Sequence, residues 1–384
     1  MMFRKRLLAM LLLLLLPLTG CGRAAEQARA PVKRAGREVE PVIKVTILPD
    51  RIAEQLEQMT EAQKVGQLFL ARCPEEDAAG FVARYQPAGL LLFGRDFEGR
   101  TPETLRSFLG ECQKAAQLPL LVGVDEEGGT VTRVSGREAF RAARFRSPQA
   151  VFADGGWEEI ARDTAEKDRL LRALGINVNL APVADVSTDP SDFIYARAFG
   201  QGTEETAQYA VAVVRQMSND GIGSVLKHFP GYGNNDDTHT GAVFDERPME
   251  ELRARDLKPF AAAIQAGAGS VLVSHNVVVC LDAERPASLS PAVHSLLRGE
   301  LEFDGVAVTD DMAMGAVTQY ADNGEAAVLA VNAGSDLLIS SDVPTQYSAV
   351  LSAVQSGEIP QERLNQAVYR VLRWKREIGI WPQA

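Results

Sequence analysis

The sequence predicts an α/β fold, a single (β/α)8 barrel of the TIM type, over residues 48–384. Three observations predict it. Short apolar runs rich in Val, Ile and Leu alternate with longer amphipathic stretches from Leu48 onward. The runs are nearly continuous rather than alternating, as parallel strands buried on both faces require. There are eight of them, and eight βα units in a chain of this length suit a closed barrel. A doubly wound open sheet is the competing architecture. No GxGxxG or GxxxxGK(S/T) segment follows any run, which weakens the nucleotide-binding version of that fold.

In chain order, strands are predicted at residues 66–70, 89–93, 118–124, 177–183, 224–229, 270–278, 305–309 and 336–340. Helices are predicted between them. Thr101-Pro102 opens one with a threonine cap and proline in the first turn. Thr203 begins another, with Glu204 and Glu205 placed where acids favour a helix start. Residues 249–266 carry apolar side chains at helical spacing up to Gly267, and residues 361–376 form a charged amphipathic helix.

The N-terminal residues read differently. Arg4, Lys5 and Arg6 precede an apolar run at 7–16, too short to span a bilayer, which takes roughly 20 residues. A short charged segment followed by such a run is a secretory signal. The following Leu18-Thr19-Gly20-Cys21 resembles a bacterial lipobox. That resemblance implies cleavage before Cys21 and a lipid on its sulfur, so residues 1–20 are expected to be a lipoprotein signal peptide. Residues 21–47, rich in Ala, Arg, Lys, Glu and Pro, are expected to be a lipid-anchored flexible tether. The protein is then exported, held at the cell membrane through Cys21 and faces the extracytoplasmic side.

Composition excludes several classes. The formal charge is −11, and removing the three cations of residues 1–20 leaves −14. A nucleic-acid partner is excluded on that balance, because phosphate binding needs a basic patch. Besides Cys21 there are Cys73, Cys112 and Cys280, an odd set with no CxxC that reads as buried single thiols. The four histidines show no metal-ligand spacing. No metal and no cofactor is expected, and the chain is expected to act as a monomer on a carbohydrate.

In a barrel the active site lies at the C-terminal ends of the strands. Chemically capable residues follow five of the runs: Asp125-Glu126-Glu127, Asp185, Lys227-His228, Ser274-His275-Asn276 and Asp310-Asp311. Any one acid alone, Asp125 or Asp185 for example, could simply cap the next helix. Five sets together point to a site.

These segments resemble glycoside hydrolase family 3, and within it the bacterial β-N-acetylhexosaminidase (β-N-acetylglucosaminidase) branch, over about residues 50–376. The matching stretches are Val124–Gly129 with Arg133, Asn179–Asp185, Arg197–Gly200, Lys227–Gly233, Asp237-Thr238-His239 and Val308–Met314. The resemblance implies a retaining hydrolase. Asp310 is its nucleophile, Asp311 being the competing carboxylate, and His239, paired with Asp237, is its general acid/base. It also implies that Asp125, Arg133, Arg197, Lys227 and His228 hold the terminal sugar. Many members carry a second domain supplying the acid; this sequence ends soon after the eighth unit, so the acid is expected from the barrel's own loops. Tyr232 stands where many members have a second histidine, and the Asn234–Asp236 spacer is one residue short. His275 is expected to line the barrel and His294 to lie on the surface. The expected activity is exo-hydrolysis of β-linked N-acetylglucosamine from muropeptide or chitin-derived fragments. A β-glucosidase or an N-acetylglucosamine phosphorylase on the same barrel is the alternative. A lipoprotein that binds sugar without turnover is disfavoured, because nucleophile and acid are both present.

Overall fold

The computed structural model describes residues 51–235 and 241–381. The expected signal peptide, tether and Cys21 lie outside the described residues, as do Asp237 and His239. Eight parallel strands form the barrel: β1 Phe69–Arg72, β2 Gly89–Leu92, β3 Leu121–Val124, β4 Val178–Asn179, β5 Gly223–Phe229, β6 Ser270–Val273, β7 Val306–Thr309 and β8 Leu338–Ser340. They neighbour one another in chain order, and β1 pairs with β8 in the register Phe69 to Leu338. A single parallel bridge between Val308 and Leu337 closes the ring, backed by the Thr309 N–H on the Leu337 carbonyl at 3.0 Å. The predicted barrel is the observed one.

The differences from expectation have local causes. The predicted first strand began at Gly66, but Gly66 ends a short helix, Glu61–Gly66, held by a reciprocal Thr60–Gln63 capping box. A side chain at Gly66 would meet the Tyr85 carbonyl at 2.3 Å. In the fourth run the regular ladder stops at Asn179, because Pro182 has no N–H to give. Irregular bonds from Val225 to the Ala181 carbonyl and from Lys227 to the Pro182 carbonyl keep the segment beside β5. The sixth run is longer than its strand. Beyond Val273 it turns out at the barrel mouth, and Val277–Val278 pairs instead with Phe244–Asp245 in a small parallel ribbon. The helix expected over 249–266 is two, Met249–Ala254 and Leu257–Gln265. Pro259 cannot donate to the Arg255 carbonyl four residues back, so a continuous helix is broken there.

Three layers of apolar packing follow. Inside the barrel, Leu70, Leu91, Leu180, Leu272, Val308 and Ile339 meet one another. Trp374, on the last helix Gln361–Glu377, plugs the N-terminal end. Its ring lies so close to Gly223 and Gly269 that a Cβ there would sit 2.8 and 2.5 Å from it. Two further clusters fill the space between strands and helices. His294 is not on the surface: it is buried, with Nε2 3.0 Å from the Ser335 hydroxyl. Burial lowers its pKa to about 4. Cys73 and Cys112 are buried as expected, whereas Cys280 is exposed. Among the described residues no helix is long and apolar enough to cross a membrane.

Candidate active site

The C-terminal ends of the strands surround a cavity of about 400 Å³. Its floor is the upper layer of the barrel interior, Leu91, Leu180, Leu272 and Ile339. Asp125, Arg133, Arg197, Lys227, His228 and Asp310 all line it. Six of the sequence-predicted site residues therefore converge on one cavity, although they come from β3, β5, β7 and two loops. Asp237 and His239 belong to a segment flanked by the described Asn235 and Gly241.

The segment after β3 is held from within. Glu126 is fully buried and accepts the backbone N–H groups of Arg133 at 2.9 Å and Val134 at 2.7 Å. The Ser135 hydroxyl also donates to it. Burial raises its pKa despite these donors. Asn179, at the end of β4, accepts the Glu126 N–H at 2.9 Å and donates to the Glu126 carbonyl at 3.1 Å. The loop that presents Arg133 is thereby tied to two adjacent strands.

Glu127 organises the charges. Its side chain is 2% exposed. Arg197 grips it with a two-pronged fork at 3.0 and 2.8 Å, and the Lys227 ammonium sits 2.6 Å away. Lys227 also donates to Asp125 at 2.7 Å. Burial opposes ionisation of Glu127, but Lys227 and Arg197 outweigh it and hold the carboxyl far below its usual range. Burial likewise disfavours the Lys227 cation, and Asp125 and Glu127 more than offset it, so its pKa lies above the ordinary value. The result is two cations and two carboxylates, fixed in place before any substrate arrives. In the sequence Glu127 is one acid of the Val124–Gly129 segment and carries no sign of this role. Its partners lie 70 and 100 positions away, so nothing local signals it.

Asp185 does not cap a helix. It is buried at the end of the fourth run and accepts from His228 Nδ1 at 2.7 Å, the His228 N–H at 3.1 Å and the Tyr232 N–H at 2.7 Å. The Asp185 carboxylate requires the proton on Nδ1, and the Arg197 guanidinium faces Nε2 at 3.1 Å. His228 is thus locked as an acceptor toward Arg197. Tyr232 packs beside it with ring centres 5.6 Å apart, and the rim residue Phe193 lies 5.7 Å from Tyr232 on the other side.

The two carboxylates after β7 are held differently. Asp311 accepts the N–H groups of Ala313 at 3.0 Å and Ser341 at 3.2 Å, and the Ser341 hydroxyl also donates to it. Asp310 accepts the Asp311 N–H at 2.8 Å, and its own N–H reaches the Val273 carbonyl at 3.3 Å. His275 is buried beneath them, with Nε2 3.1 Å from the Asp311 carbonyl and Nδ1 2.7 Å from the Ser288 hydroxyl. Burial lowers its pKa. The described residues contain no cluster of His, Cys, Asp and Glu able to hold a metal ion.

Comparison with known proteins places this architecture. Residues 59–374 match the model of the glycosyl hydrolase family 3 N-terminal domain. The beta-hexosaminidase LpqI of Mycobacterium tuberculosis is 32% identical over 340 residues, 83% of each chain. A beta-hexosaminidase of Idiomarina loihiensis is 36% identical over 300 residues, 76% of this chain and 87% of the relative. Among solved structures, a glycoside hydrolase family 3 beta-N-acetylglucosaminidase from Paenibacillus sp. str. FPU-7 superposes with a TM-score of 0.78 at 34% identity. That match covers 85% of this chain and 64% of the Paenibacillus chain. The LpqI structure superposes with a TM-score of 0.77 over 84% of this chain and 96% of its own. With the barrel, the cavity at its mouth and these matches in agreement, the chain belongs to glycosyl hydrolase family 3 and is a glycoside hydrolase.

Proposed function

We propose that the protein is a retaining, exo-acting β-N-acetylhexosaminidase that removes terminal non-reducing β-linked N-acetylglucosamine from cell-wall (muropeptide) or chitin-derived saccharides. The observation that carries this reading is the convergence of Asp125, Arg133, Arg197, Lys227 and His228 on one cavity with Asp310. In the proposed cycle the Asp310 carboxylate attacks the anomeric carbon while the bond to the leaving oxygen breaks. His239, oriented by Asp237, protonates that oxygen. The same imidazole then takes a proton from water, which attacks the anomeric carbon and frees Asp310 with net retention. Two features of the described residues support this division of roles. Asp310 and Asp311 both line the cavity, and the Asp311 carboxylate is held in place by donors from Ala313 and Ser341. His228 carries its proton toward Asp185 and faces Arg197 with Nε2, so it has no proton to offer a leaving group. This agrees with His239 as the acid. Asp125 and the Lys227, Arg197 and Arg133 donors suit sugar hydroxyls and an acetamido oxygen.

The test is turnover of 4-nitrophenyl N-acetyl-β-D-glucosaminide by the protein beside its Asp310→Ala and His239→Ala variants. The reading expects release of 4-nitrophenol that does not depend on phosphate and a loss of about 10³-fold or more in Asp310→Ala. In His239→Ala the loss should grow with the leaving group's basicity, reaching about 10²–10⁴-fold. Release from the plain glucoside alone, or turnover that survives Asp310→Ala, would overturn it. Export and anchoring through Cys21 belong to the same proposal. Their check is incorporation of labelled palmitate that disappears in Cys21→Ser.

A further inference from the structure

The carboxylate of Glu127 sets the cations at the substrate cavity, and its backbone is held from the other side, by the surrounding helices. Lys167, on the helix Pro148–Leu174, is 8% exposed. Its ammonium donates to the Glu127 carbonyl at 3.3 Å and to the Asp163 carboxylate at 2.5 Å. It also lies 5.3 Å from the centre of the Phe145 ring, which favours a cation on its face. Phe145 is buried in its turn, and its carbonyl accepts the Gly129 N–H at 2.9 Å. Glu127, Asp163, Lys167 and Tyr209 line a second, internal cavity of about 20 Å³. That is room for one water, so the Glu127 peptide has space beside it into which it could turn.

The chain itself leaves this peptide loose. Glu127 is followed by Gly128 at φ 99° and Gly129 at φ 62°, two left-handed residues in a row. A Cβ on Gly128 would lie 2.2 Å from the Arg146 carbonyl oxygen, so the close approach there requires glycine. A glycine pair fixes nothing by its own sterics, and a buried charge-assisted bond to the carbonyl supplies the missing constraint. Rotation of the 127–128 peptide would swing the carboxylate that Arg197 grips at 3.0 and 2.8 Å and that Lys227 approaches at 2.6 Å. Lys167, Asp163 and Phe145 do not line the substrate cavity, so any effect they have on the sugar passes through Glu127. We infer that Lys167, seated by Asp163, is a positioning residue: its ammonium fixes the Glu127 peptide and, through it, the Arg197 and Lys227 cations that hold the sugar. This inference rests on the proposed activity, in which those two cations are sugar donors.

The experiment compares the protein with Lys167→Met, which keeps the apolar stem and removes the charge, and with Lys167→Arg. It measures kcat and KM on 4-nitrophenyl N-acetyl-β-D-glucosaminide and, by calorimetry, the Kd of free N-acetylglucosamine. Lys167→Met should raise KM and Kd about tenfold, the size of a weakened charge-assisted bond, with partial recovery in Lys167→Arg. A merely structural lysine would lower the folded fraction, so kcat per chain would fall while KM and Kd stayed put. A rise of less than about threefold in both constants overturns the inference, whatever happens to kcat. Should Lys167→Met fail to fold, Asp163→Asn loosens the seat and keeps the ammonium, and the same rise and the same threshold apply. Crystal structures of the protein and the variant decide without turnover. A shift of the Glu127 carboxylate by about 0.5 Å or more supports the inference, and an unmoved one overturns it even if the proposed hydrolysis fails. Release of 4-nitrophenol by the parent reports on that hydrolysis by itself.

Discussion

Glu127→Gln removes one negative charge from the site and almost nothing else, because the side chains have the same shape. In the parent, Glu127 accepts two bonds from Arg197 and lies 2.6 Å from the Lys227 ammonium, with only 2% of its side chain exposed. Arg197 is 18% exposed and Lys227 2%, so solvent screens little of the interaction. Breaking a buried pair by neutralising one partner costs about 3–5 kcal/mol. Lys227 keeps Asp125 at 2.7 Å, which places the expected loss near the lower end, about 3 kcal/mol. Arg197 keeps no carboxylate, and one prong of its fork meets the amide N–H₂ of the new glutamine. A displacement of about 1 Å in a positioning group costs about 10²-fold in rate, so kcat/KM on the aryl N-acetylglucosaminide should fall by that order. The pH dependence has a definite sign. The Glu127 pKa is depressed in the folded state from an ordinary value of 4.5. Its stabilisation is complete above that value and is lost as pH falls through the lower folded one. Urea unfolding of parent and variant should thus differ by a constant amount above about pH 5 and converge below it. A stability difference under about 1 kcal/mol at pH 7, with kcat/KM changed less than threefold, would refute Glu127 as the organiser of these cations.

Two further predictions follow from buried carboxylates. Asp185→Asn replaces the acceptor shared by His228 and the Tyr232 N–H, so the imidazole loses its fixed orientation; kcat/KM should fall about 10–100-fold. Asp185→Glu should recover less than half of that loss, and full activity in Asp185→Asn would remove Asp185 from the account. Asp168 is 1% exposed, and burial, reinforced by the Asp220 carboxylate, raises its pKa to about 8. The folded protein then holds a proton that the unfolded chain has released, so this group's contribution to stability falls as pH rises between about 4 and 8. Asp168→Asn should gain on the parent across that window by at most about 1.4 kcal/mol per pH unit, read by urea unfolding. A difference that stays flat from pH 5 to pH 8 contradicts the assignment.

What the sequence displays follows from how the barrel is built. Each strand is buried on both faces, so it writes itself as an apolar run, and Asp125, Lys227, His228 and Asp310 sit at or just past the end of one. Asp125, Lys227, His228 and Asp310 are legible for that reason. Strand ends are less so. The runs at 177–183 and 270–278 stay apolar after hydrogen bonding has become irregular, because those residues remain buried at the mouth. Pro259 marks the break in the 249–266 segment, and a reading based on apolar spacing alone passes over it. The roles of Glu127 and Asp185 are not legible locally. The partners of Glu127 and Asp185 arrive from other strands and loops. His294 looks solvated in a polar stretch, yet Ser335 and the Gly334 backbone bury it from a distant element.

The central claim is that Asp310 forms a covalent bond to the sugar during turnover. It is tested most directly by incubating the protein with a 5-fluoro-N-acetyl-β-D-glucosaminyl fluoride and mapping the adduct by mass spectrometry. The account predicts one added fluoro-sugar per chain, on Asp310, with activity returning as the adduct hydrolyses. An adduct on Asp311, or fluoride release with no adduct at any carboxylate, would contradict it.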